Sequence, residues 1–246
     1  MVIPSTTSSR EAASPRAWER VLRHVESSLL DGTLTPGDHL PPERELAASL
    51  GVGRSSVREA LRVLEVLGLI RTGTGSGPTS GAIIVAAPQG GMAALLRLQV
   101  AANGFPLEDV MRTRLVLEEA VVTQLAGHDD RSTAAASTIA TAMEEPTLTA
   151  AEFLALDAQL HQSLAEASGN VVIAAMMAGL RTSIESYVQA GAARIPEWEP
   201  VAARLRGEHR ALLDAIDDGH VTLARTLIHD HITGYYAEAT PARLPA

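Results

Sequence analysis

The sequence changes character at Pro88, and beyond this residue we predict seven helices and no strand. The helical runs cover residues 91–103, 106–127, 131–144, 149–168, 170–190, 198–218 and 221–238. The breaks between them contain glycine, proline or asparagine, which are typical of helix ends. Helices without strands bury their apolar faces against one another, so this part of the chain predicts an all-α bundle of six or seven helices.

The first 87 residues predict three helices followed by a β-hairpin. Apolar residues recur at helical spacing between residues 18 and 30, and shorter helical patterns cover residues 43–50 and 55–67. Two short strands, at 69–71 and 82–85, flank the glycine-rich loop TGTGSGPTSG and predict the hairpin. Three helices and a hairpin form a winged helix-turn-helix, in which one short helix can enter the major groove of DNA.

We therefore expect a mostly α protein with two domains. A disordered tail would cover residues 1–13, a winged helix-turn-helix DNA-binding domain 14–87, and a helical-bundle domain 88–240. Charge separates the same two parts, because residues 1–88 hold nine arginines and nine acidic residues while the net charge of -9 falls on the rest. This asymmetry predicts domains with different partners.

Composition excludes several classes of protein. The chain of 246 residues has no cysteine, so it can form no disulfide, thiolate zinc finger, iron–sulfur cluster or cysteine nucleophile. The acidic balance argues against nonspecific coating of nucleic acid, and seven aromatic residues are too few for a single-strand stacking platform. No apolar run is long enough to span a membrane and no signal pattern is present, so we expect a cytoplasmic protein without a membrane partner.

The third predicted helix carries the candidate DNA contacts. Arg54, Ser55, Ser56 and Arg58 occupy its outer, N-terminal part, and Arg44 opens the helix before it. Arginines at such positions can reach guanine edges or phosphates in the major groove, whereas glycines in the loop allow a close approach to the minor groove or backbone. An ordinary solvated helix face would explain the same arginines, because surface arginine is common.

The segment LPPERELAASLGVGRSSVREALRVLEVLGLI resembles the signature of the GntR family of bacterial transcription factors. The resemblance covers about residues 32–85, from the first short helix into the glycine-rich wing. It implies contacts to double-stranded DNA from two helices and from the wing. The implied residues are Arg44, Arg54, Ser55, Ser56, Arg58, Gly75 and Gly77.

Two positions depart from the family pattern. Gly53 stands where the family usually has serine or threonine, whose hydroxyl could cap the helix or bind a phosphate. Glycine costs only a few tenths of a kcal/mol as a cap, so folding should survive this change. The wing is also longer and richer in glycine than the usual short wing.

The predicted bundle contains a second group of candidate residues. Asp157 and His161 are four residues apart and share a helix face, while His209 and His231 lie on the sixth and seventh predicted helices. One carboxylate and three imidazoles from three helices can converge inside a bundle, and this donor set suits zinc, nickel or another borderline divalent ion. The same spacing also fits unrelated surface or core histidines.

Residues 91–238 resemble the FCD ligand-binding domain, which defines the FadR subfamily of GntR regulators. Its metal motif, Asp-x₃-His followed by two histidines on later helices, is matched by Asp157, His161, His209 and His231. The resemblance implies a divalent metal ion, with zinc first and nickel second.

Arg114 lies in an Arg-x-x-Leu-Glu element of the same domain. The resemblance implies that this arginine faces the pocket and pairs with an effector carboxylate, which a guanidinium binds with two parallel hydrogen bonds. The implied effectors are small organic acids such as lactate, pyruvate, citrate, gluconate-type sugar acids or amino acids. The alternative for Arg114 is a salt bridge to Glu118, one helical turn away.

These features predict a ligand-responsive transcriptional repressor, not an enzyme. A homodimer would place two recognition helices on a palindromic operator, and the effector would change operator affinity. A metal-dependent hydrolase with an accessory DNA-binding-like domain is one alternative, because an open metal site can activate water, although no His-Glu-x-x-His motif occurs. An architectural DNA binder without an effector is another, and it predicts neither metal nor affinity for carboxylates.

Overall fold

The computed structural model describes residues 16–73, 81–86, 88–102, 104–130 and 132–239. The chain separates into two compact units, Met1–Pro88 and Gln89–Ala246. The expectation for residues 1–13 lies outside the described residues. No helix in the described ranges is both long and apolar enough to cross a membrane.

The first unit is a winged helix-turn-helix, as predicted. It contains helices α1 (Ala17–Leu30), α2 (Glu43–Leu50) and α3 (Arg54–Val66), followed by strands β1 (Ile70–Gly73) and β2 (Gly81–Ile84). The strands are antiparallel, with Ile70 opposite Ile84. His39 forms an isolated antiparallel bridge with Ile83, so the segment before α2 lies along β2.

The apolar periodicity of the first unit explains its packing. Val21 and Val25 from α1, Leu46 from α2, and Val57 and Leu64 from α3 are all buried. Because these residues occupy one face of each helix, the opposite faces of α2 and α3 remain in contact with solvent.

Glycines define both ends of α3. Gly68 has a φ of 72°, and the N–H of Leu69 donates to the carbonyl of Leu64 at 2.9 Å, which is the pattern that ends many helices at a left-handed glycine. Gly53 is the N-cap residue, with extended backbone and no side chain to accept a hydrogen bond. The start of α3 therefore leaves its first N–H groups without a side-chain cap.

The second unit is the predicted all-α bundle, and each of the seven predicted helices is present. They are α4 (Pro88–Ala101), α5 (Leu107–Gly127), α6 (Ala134–Ala142), α7 (Ala150–Ala167), α8 (Val171–Ala192), α9 (Trp198–Asp217) and α10 (Val221–Ala239). Helix α6 is shorter than the predicted run 131–144. Thr133 occupies its N-cap position, where its hydroxyl donates to the Asp217 carboxylate at 2.8 Å and accepts no hydrogen bond from a backbone N–H of the helix.

Helices α7, α9 and α10 form the centre of the second unit. Phe153 and Leu160 from α7, Leu212 and Ile216 from α9, and Ile228 from α10 are almost completely buried. The apolar faces of these three helices point into the interior of the unit. Polar side chains on the same faces are therefore buried together with the apolar ones.

Helix α4 approaches the backbone of α8 closely at one point. A Cβ placed on Gly179 of α8 would lie 3.3 Å from the Ala93 Cα and 2.6 Å from the Leu96 Cδ1, both on α4. Only glycine leaves room for this approach without displacement of the neighbouring helix. Leu96 and Val100 of α4 also pack against Leu180 and Ile184 of α8.

Candidate metal centre and candidate DNA interface

Four side chains from three helices converge in the second unit. Asp157 and His161 come from α7, His209 from α9 and His231 from α10, and one ligand atom from each lies within 4.8 Å of all the others. The Asp157 Oδ1 lies 3.0 Å from the His209 Nε2 and 3.7 Å from the Nε2 atoms of both His161 and His231. The carboxylate oxygen thus lies close to all three imidazole nitrogens.

Two further carboxylates orient two of the imidazoles. The His161 Nδ1 hydrogen-bonds to Glu118 Oε2, and the His231 Nδ1 hydrogen-bonds to Glu208 Oε2 at 2.7 Å. A carboxylate accepts the Nδ1 proton and leaves a lone pair on Nε2, which is how metal-ligating histidines are commonly held.

The Nε2 atoms of the oriented imidazoles face one another. Those of His161 and His231 are 3.2 Å apart, so two lone pairs would repel unless a proton or a cation lay near them. The Nε2 of the buried His209 lies 3.0 Å from the Asp157 Oδ1 but outside hydrogen-bond geometry, and its Nδ1 has no hydrogen-bond partner among the described residues. Buried polar atoms without a partner are rare, and a cation bound by the three Nε2 atoms would satisfy that of His209 while leaving its Nδ1 unpaired. The donor set therefore fits a divalent ion.

Neighbouring cations keep the two buried carboxyl groups of the site ionised. Burial raises the pKa of Glu118, but His161 and Arg114 outweigh this effect and lower the pKa to about 2. Burial also raises the pKa of Asp157, yet His161 and His209 hold it well below its ordinary value. Both carboxyl groups are consequently ionised at neutral pH.

The two oriented imidazoles have opposite pKa shifts. Burial lowers the pKa of His161, but Glu118 and Asp157 outweigh it and raise the pKa to about 9. For His231, burial dominates and lowers the pKa to about 4, because Glu208 only partly compensates. Without a metal ion at neutral pH, His161 therefore holds a proton and His231 is neutral.

Arg114 lies beside this group and is already paired. Its Nε donates to Glu118 Oε1 at 2.6 Å and its Nη1 donates to the Tyr236 hydroxyl at 2.9 Å. The salt bridge that the sequence offered as an alternative is therefore present. Arg114 also lines a cavity, so its remaining N–H groups lie next to the space where a ligand would bind.

The cavity lies between α5, α7 and α8. Asp157 and His161 form part of its wall, which connects it directly to the four converging side chains. The rest of the wall is mostly apolar, with a few polar groups, which is typical of a small-molecule site. Its apolar members include Leu154, Met177, Ile184 and Val188, and its polar members include Arg114, Gln162 and Arg181.

Sequence reasoning missed several residues of this site. Glu208 is adjacent to His209 in the sequence, but its side chain contacts His231 and Arg204. Arg181 and Tyr236 belong to no motif that was recognised. Glu118 was expected to pair only with Arg114, and nothing in the sequence indicated its contact with His161.

The other histidines of the second unit lie away from the centre. His229 is about half exposed, and its Nδ1 lies 3.0 Å from the Glu119 Oε1. His128 follows α5 and His220 precedes α10, and both are exposed. None of these three belongs to the converging group.

The outer faces of α2 and α3 carry the candidate DNA contacts of the first unit. Arg44, Arg54, Ser55 and Arg58 are exposed, and Ser56 is partly buried. Four of the five side chains are therefore open to a ligand from solvent. Arg44 belongs to α2 and the other four residues to α3, so the candidate DNA contacts lie on two neighbouring helices.

Arg58 is held by a partner on the neighbouring helix. Its Nε donates to Glu43 Oε2 at 2.8 Å, and its Nη groups have no hydrogen-bond partner among the described residues. The contact is an exposed ion pair, which an ordinary solvated helix face can also form. Gly75 and Gly77 of the wing lie outside the described residues.

Two family models match the chain. The model described as bacterial regulatory proteins, gntR family, matches residues 17–79, and the FCD domain model matches residues 109–234. The protein therefore belongs to the GntR family of bacterial regulators, in the group that carries an FCD domain. It is a DNA-binding transcriptional regulator with an effector-binding domain, as the resemblance of its sequence to this family had predicted.

Individual relatives agree with this family. A protein of Escherichia coli strain K12, named as a regulatory protein of the L-lactate dehydrogenase operon, is 27% identical over 221 residues, which cover 89% of this chain and 84% of that protein. The Uxu operon transcriptional regulator of the same strain is 38% identical over 65 residues, or 26% of this chain and 25% of that protein. The solved structure of Streptococcus agalactiae GntR has the same fold, with a TM-score of 0.58, 23% identity, and coverage of 89% of this chain and 97% of that chain.

Proposed function

We propose that this protein is a cytoplasmic transcriptional repressor whose operator affinity is set by a small organic acid bound at a divalent metal ion in the second unit. The ion would be held by Asp157, His161, His209 and His231. We propose zinc as its identity, with nickel as the alternative. The observation that supports this most is the convergence of three imidazoles and one carboxylate at the wall of an apolar cavity. The protein would act as a homodimer on a palindromic operator.

Each group at the site has a distinct role in this proposal. A bound divalent ion would supply a positive charge and an open position at which a carboxylate oxygen of the acid could coordinate. Glu118 and Glu208 orient His161 and His231 through their Nδ1 atoms, and Arg114 offers N–H donors at the cavity. The apolar wall excludes water from the acid, so each charged contact counts for more than it would in solvent.

A regulatory role fits these contacts better than hydrolysis does. A hydrolase needs a carboxylate or imidazole that is free to accept a proton from water. The two carboxylates that touch the imidazoles through Nδ1 are already bound, Glu118 to Arg114 and Glu208 to Arg204. We expect no turnover of simple esters or lactones by the metal-loaded protein, and measurable turnover would favour the hydrolase.

Metal content tests the centre directly. Elemental analysis of purified protein should give about one zinc or nickel ion per chain. His161→Ala and His231→Ala should each lose the ion, whereas His229→Ala, on the exposed face of α10, should keep it. A wild-type protein that stays metal-free after addition of zinc and nickel would contradict the proposed centre.

Substitutions on α3 test the DNA surface. Arg54→Ala and Arg58→Ala should lose specific operator binding in a fluorescence anisotropy titration, because base-edge contacts are each worth about 1–3 kcal/mol. Arg62→Ala is the matched control, since Arg62 is exposed on the later part of the same helix. Unchanged specific binding by the first two variants would contradict this surface.

The effector should then change operator affinity. Coupling between two sites is typically about 1–3 kcal/mol, or about 5- to 150-fold in affinity. A metal-loaded protein whose operator affinity does not respond to any small carboxylic acid would support the architectural alternative.

A further inference from the structure

We propose that the cavity binds an organic acid with two negative charges, with one carboxylate at the candidate metal centre and Arg114 and the other at Arg181. This inference rests on the proposed function and narrows its effector to dianionic acids. It assigns Arg181, on α8, as the residue that distinguishes a dianion from a monocarboxylate.

Arg181 differs from the other arginines of the second unit in its surroundings. It is partly buried in the cavity wall, and among the described residues it has no carboxylate within ion-pair distance. Arg97 and Arg194 are also without an ion pair to a described residue, but both are exposed. The remaining described arginines of this unit are each paired with a carboxylate: Arg112, Arg114, Arg204, Arg206, Arg210 and Arg225.

A partly buried guanidinium without an anion is unfavourable, because it loses hydration and gains no partner. Arg114, in contrast, already donates its Nε and Nη1 to Glu118 and Tyr236. The charge of Arg114 is therefore largely balanced inside the protein, whereas that of Arg181 is not. An anionic ligand group is the partner that would balance it.

The two arginines lie on different walls of one cavity. Arg114 belongs to α5, Asp157 and His161 to α7, and Arg181 to α8. Apolar side chains, including Ile184 and Val188, line the same space. A short carbon chain with a carboxylate at each end matches this arrangement of two polar regions and an apolar wall.

One acidic group requires a specific control. Glu185 follows Arg181 by one helical turn and also lines the cavity, but its side chain is exposed and forms no ion pair with Arg181. If Glu185 took part in binding, it would attract an ammonium group and favour a zwitterionic amino acid. Because Glu185 is better hydrated than Arg181, we assign the charge preference of the cavity to Arg181.

Acids matched in shape test the proposal. Succinate and glutarate are compared with their monoamides, succinamate and glutaramate, by isothermal titration calorimetry with the zinc-loaded full chain. The wild type should bind the diacids about 10- to 100-fold more tightly, as expected for a charge-assisted contact in a partly buried site. Arg181→Gln should remove this preference by weakening diacid binding, with little effect on the monoamides.

Two further variants control for structure and charge. Arg194→Gln removes an exposed arginine that does not line the cavity and should bind both classes of acid like the wild type. Arg181→Lys retains the charge and should keep part of the preference for diacids. A loss of that preference in Arg181→Gln but not in Arg181→Lys supports a role of charge and not of packing alone.

The possible results separate this proposal from the proposed function. Equal binding of diacids and monoamides by the wild type, unchanged in Arg181→Gln, would overturn the dianion proposal and leave a carboxylate effector in place. Tighter binding of L-alanine than of either class would overturn it in favour of an amino acid at Glu185. Binding of no acid at all by the zinc-loaded protein would overturn both proposals.

Discussion

Glu118→Gln tests whether the buried carboxylate beside the candidate metal centre sets its affinity. The two oxygens of Glu118 serve different donors, since Oε1 accepts from Arg114 and Oε2 from His161. A glutamine of the same shape has only one acceptor oxygen, so either Arg114 or His161 must lose its partner. The substitution thus changes hydrogen bonding and charge with little change in volume.

The magnitude follows from the burial of Glu118. Its side chain is 4% exposed, so water cannot replace the lost acceptor, and an unmade buried hydrogen bond costs about 1–3 kcal/mol. Loss of a group that orients a metal-binding histidine typically costs about 10- to 100-fold in metal affinity. Both figures predict that Glu118→Gln binds zinc about 10- to 100-fold more weakly than the wild type at a pH where His161 is not protonated.

Proton competition makes this difference depend on pH. In the wild type, zinc must displace the proton of His161, whose pKa is about 9, so zinc affinity falls about tenfold per pH unit below 9. Glu118→Gln lowers the pKa of His161, so the proton competes less in the variant. We expect the deficit of the variant to be larger at pH 9 than at pH 7.

Zinc affinity is measured by competition against a chelating dye at both pH values. Glu208→Gln is the matched variant, because Glu208 also accepts from a histidine and an arginine but its side chain is 26% exposed. Water can partly replace its lost acceptor, so its deficit at pH 9 should be smaller than that of Glu118→Gln. Equal zinc affinity of the wild type and Glu118→Gln at pH 9 would refute the role assigned to Glu118.

Four further predictions concern stability and DNA binding. Gly53→Ser should raise the free energy of unfolding, measured in urea, by a few tenths of a kcal/mol. Residue 53 has the backbone conformation of an N-cap, and a new Cβ would lie no closer than 3.5 Å to the Ser55 Oγ. If the new serine also binds a DNA phosphate, operator affinity should rise in an anisotropy titration. Gly207→Ala, with open space around it in α9, should stabilise the protein by about 0.5–1 kcal/mol. Gly179→Ala should be less stable than Gly207→Ala by about 1–3 kcal/mol in the same assay, because its Cβ meets α4. The free energy of unfolding of the zinc-free protein should fall as the pH rises from about 6.5 to 9. The folded state raises the pKa of His161 to about 9, so it binds the proton of His161 more tightly than the unfolded chain does, and this stabilisation disappears as the proton is lost. His161→Gln should not show this fall.

The helices of both units could be predicted because their signals are local. Apolar spacing identifies each helix, and residues such as Gly68, Gly127 and Asn170 mark ends that the backbone then adopts. Asp157 and His161 could be paired from their spacing alone, because residues four apart share a helix face in any fold. His209 and His231 could be added to that pair only through the resemblance to a family.

Contacts between helices could not be predicted, because they depend on how each helix is rotated and where it crosses its neighbours. Glu208 shows this, since its position relative to His209 on the same helix was foreseeable and its contact with His231 on α10 was not. The pairing of Arg58 with Glu43 across two helices is similar. Arg181 gave no signal in the sequence, because its importance arises only from the carboxylates that are absent around it in the described part of the chain.

Helix α8 has the cavity on one side and α4 on another. Arg181 and Ile184 line the cavity, while Gly179 of the same helix is where α4 approaches most closely. Gly179 has no side chain that can rotate to absorb a displacement, so a shift of α8 at this point would press on the Ala93 backbone and the Leu96 side chain of α4. Within the second unit, the position of α4 is therefore tied to that of α8, the helix that carries Arg181.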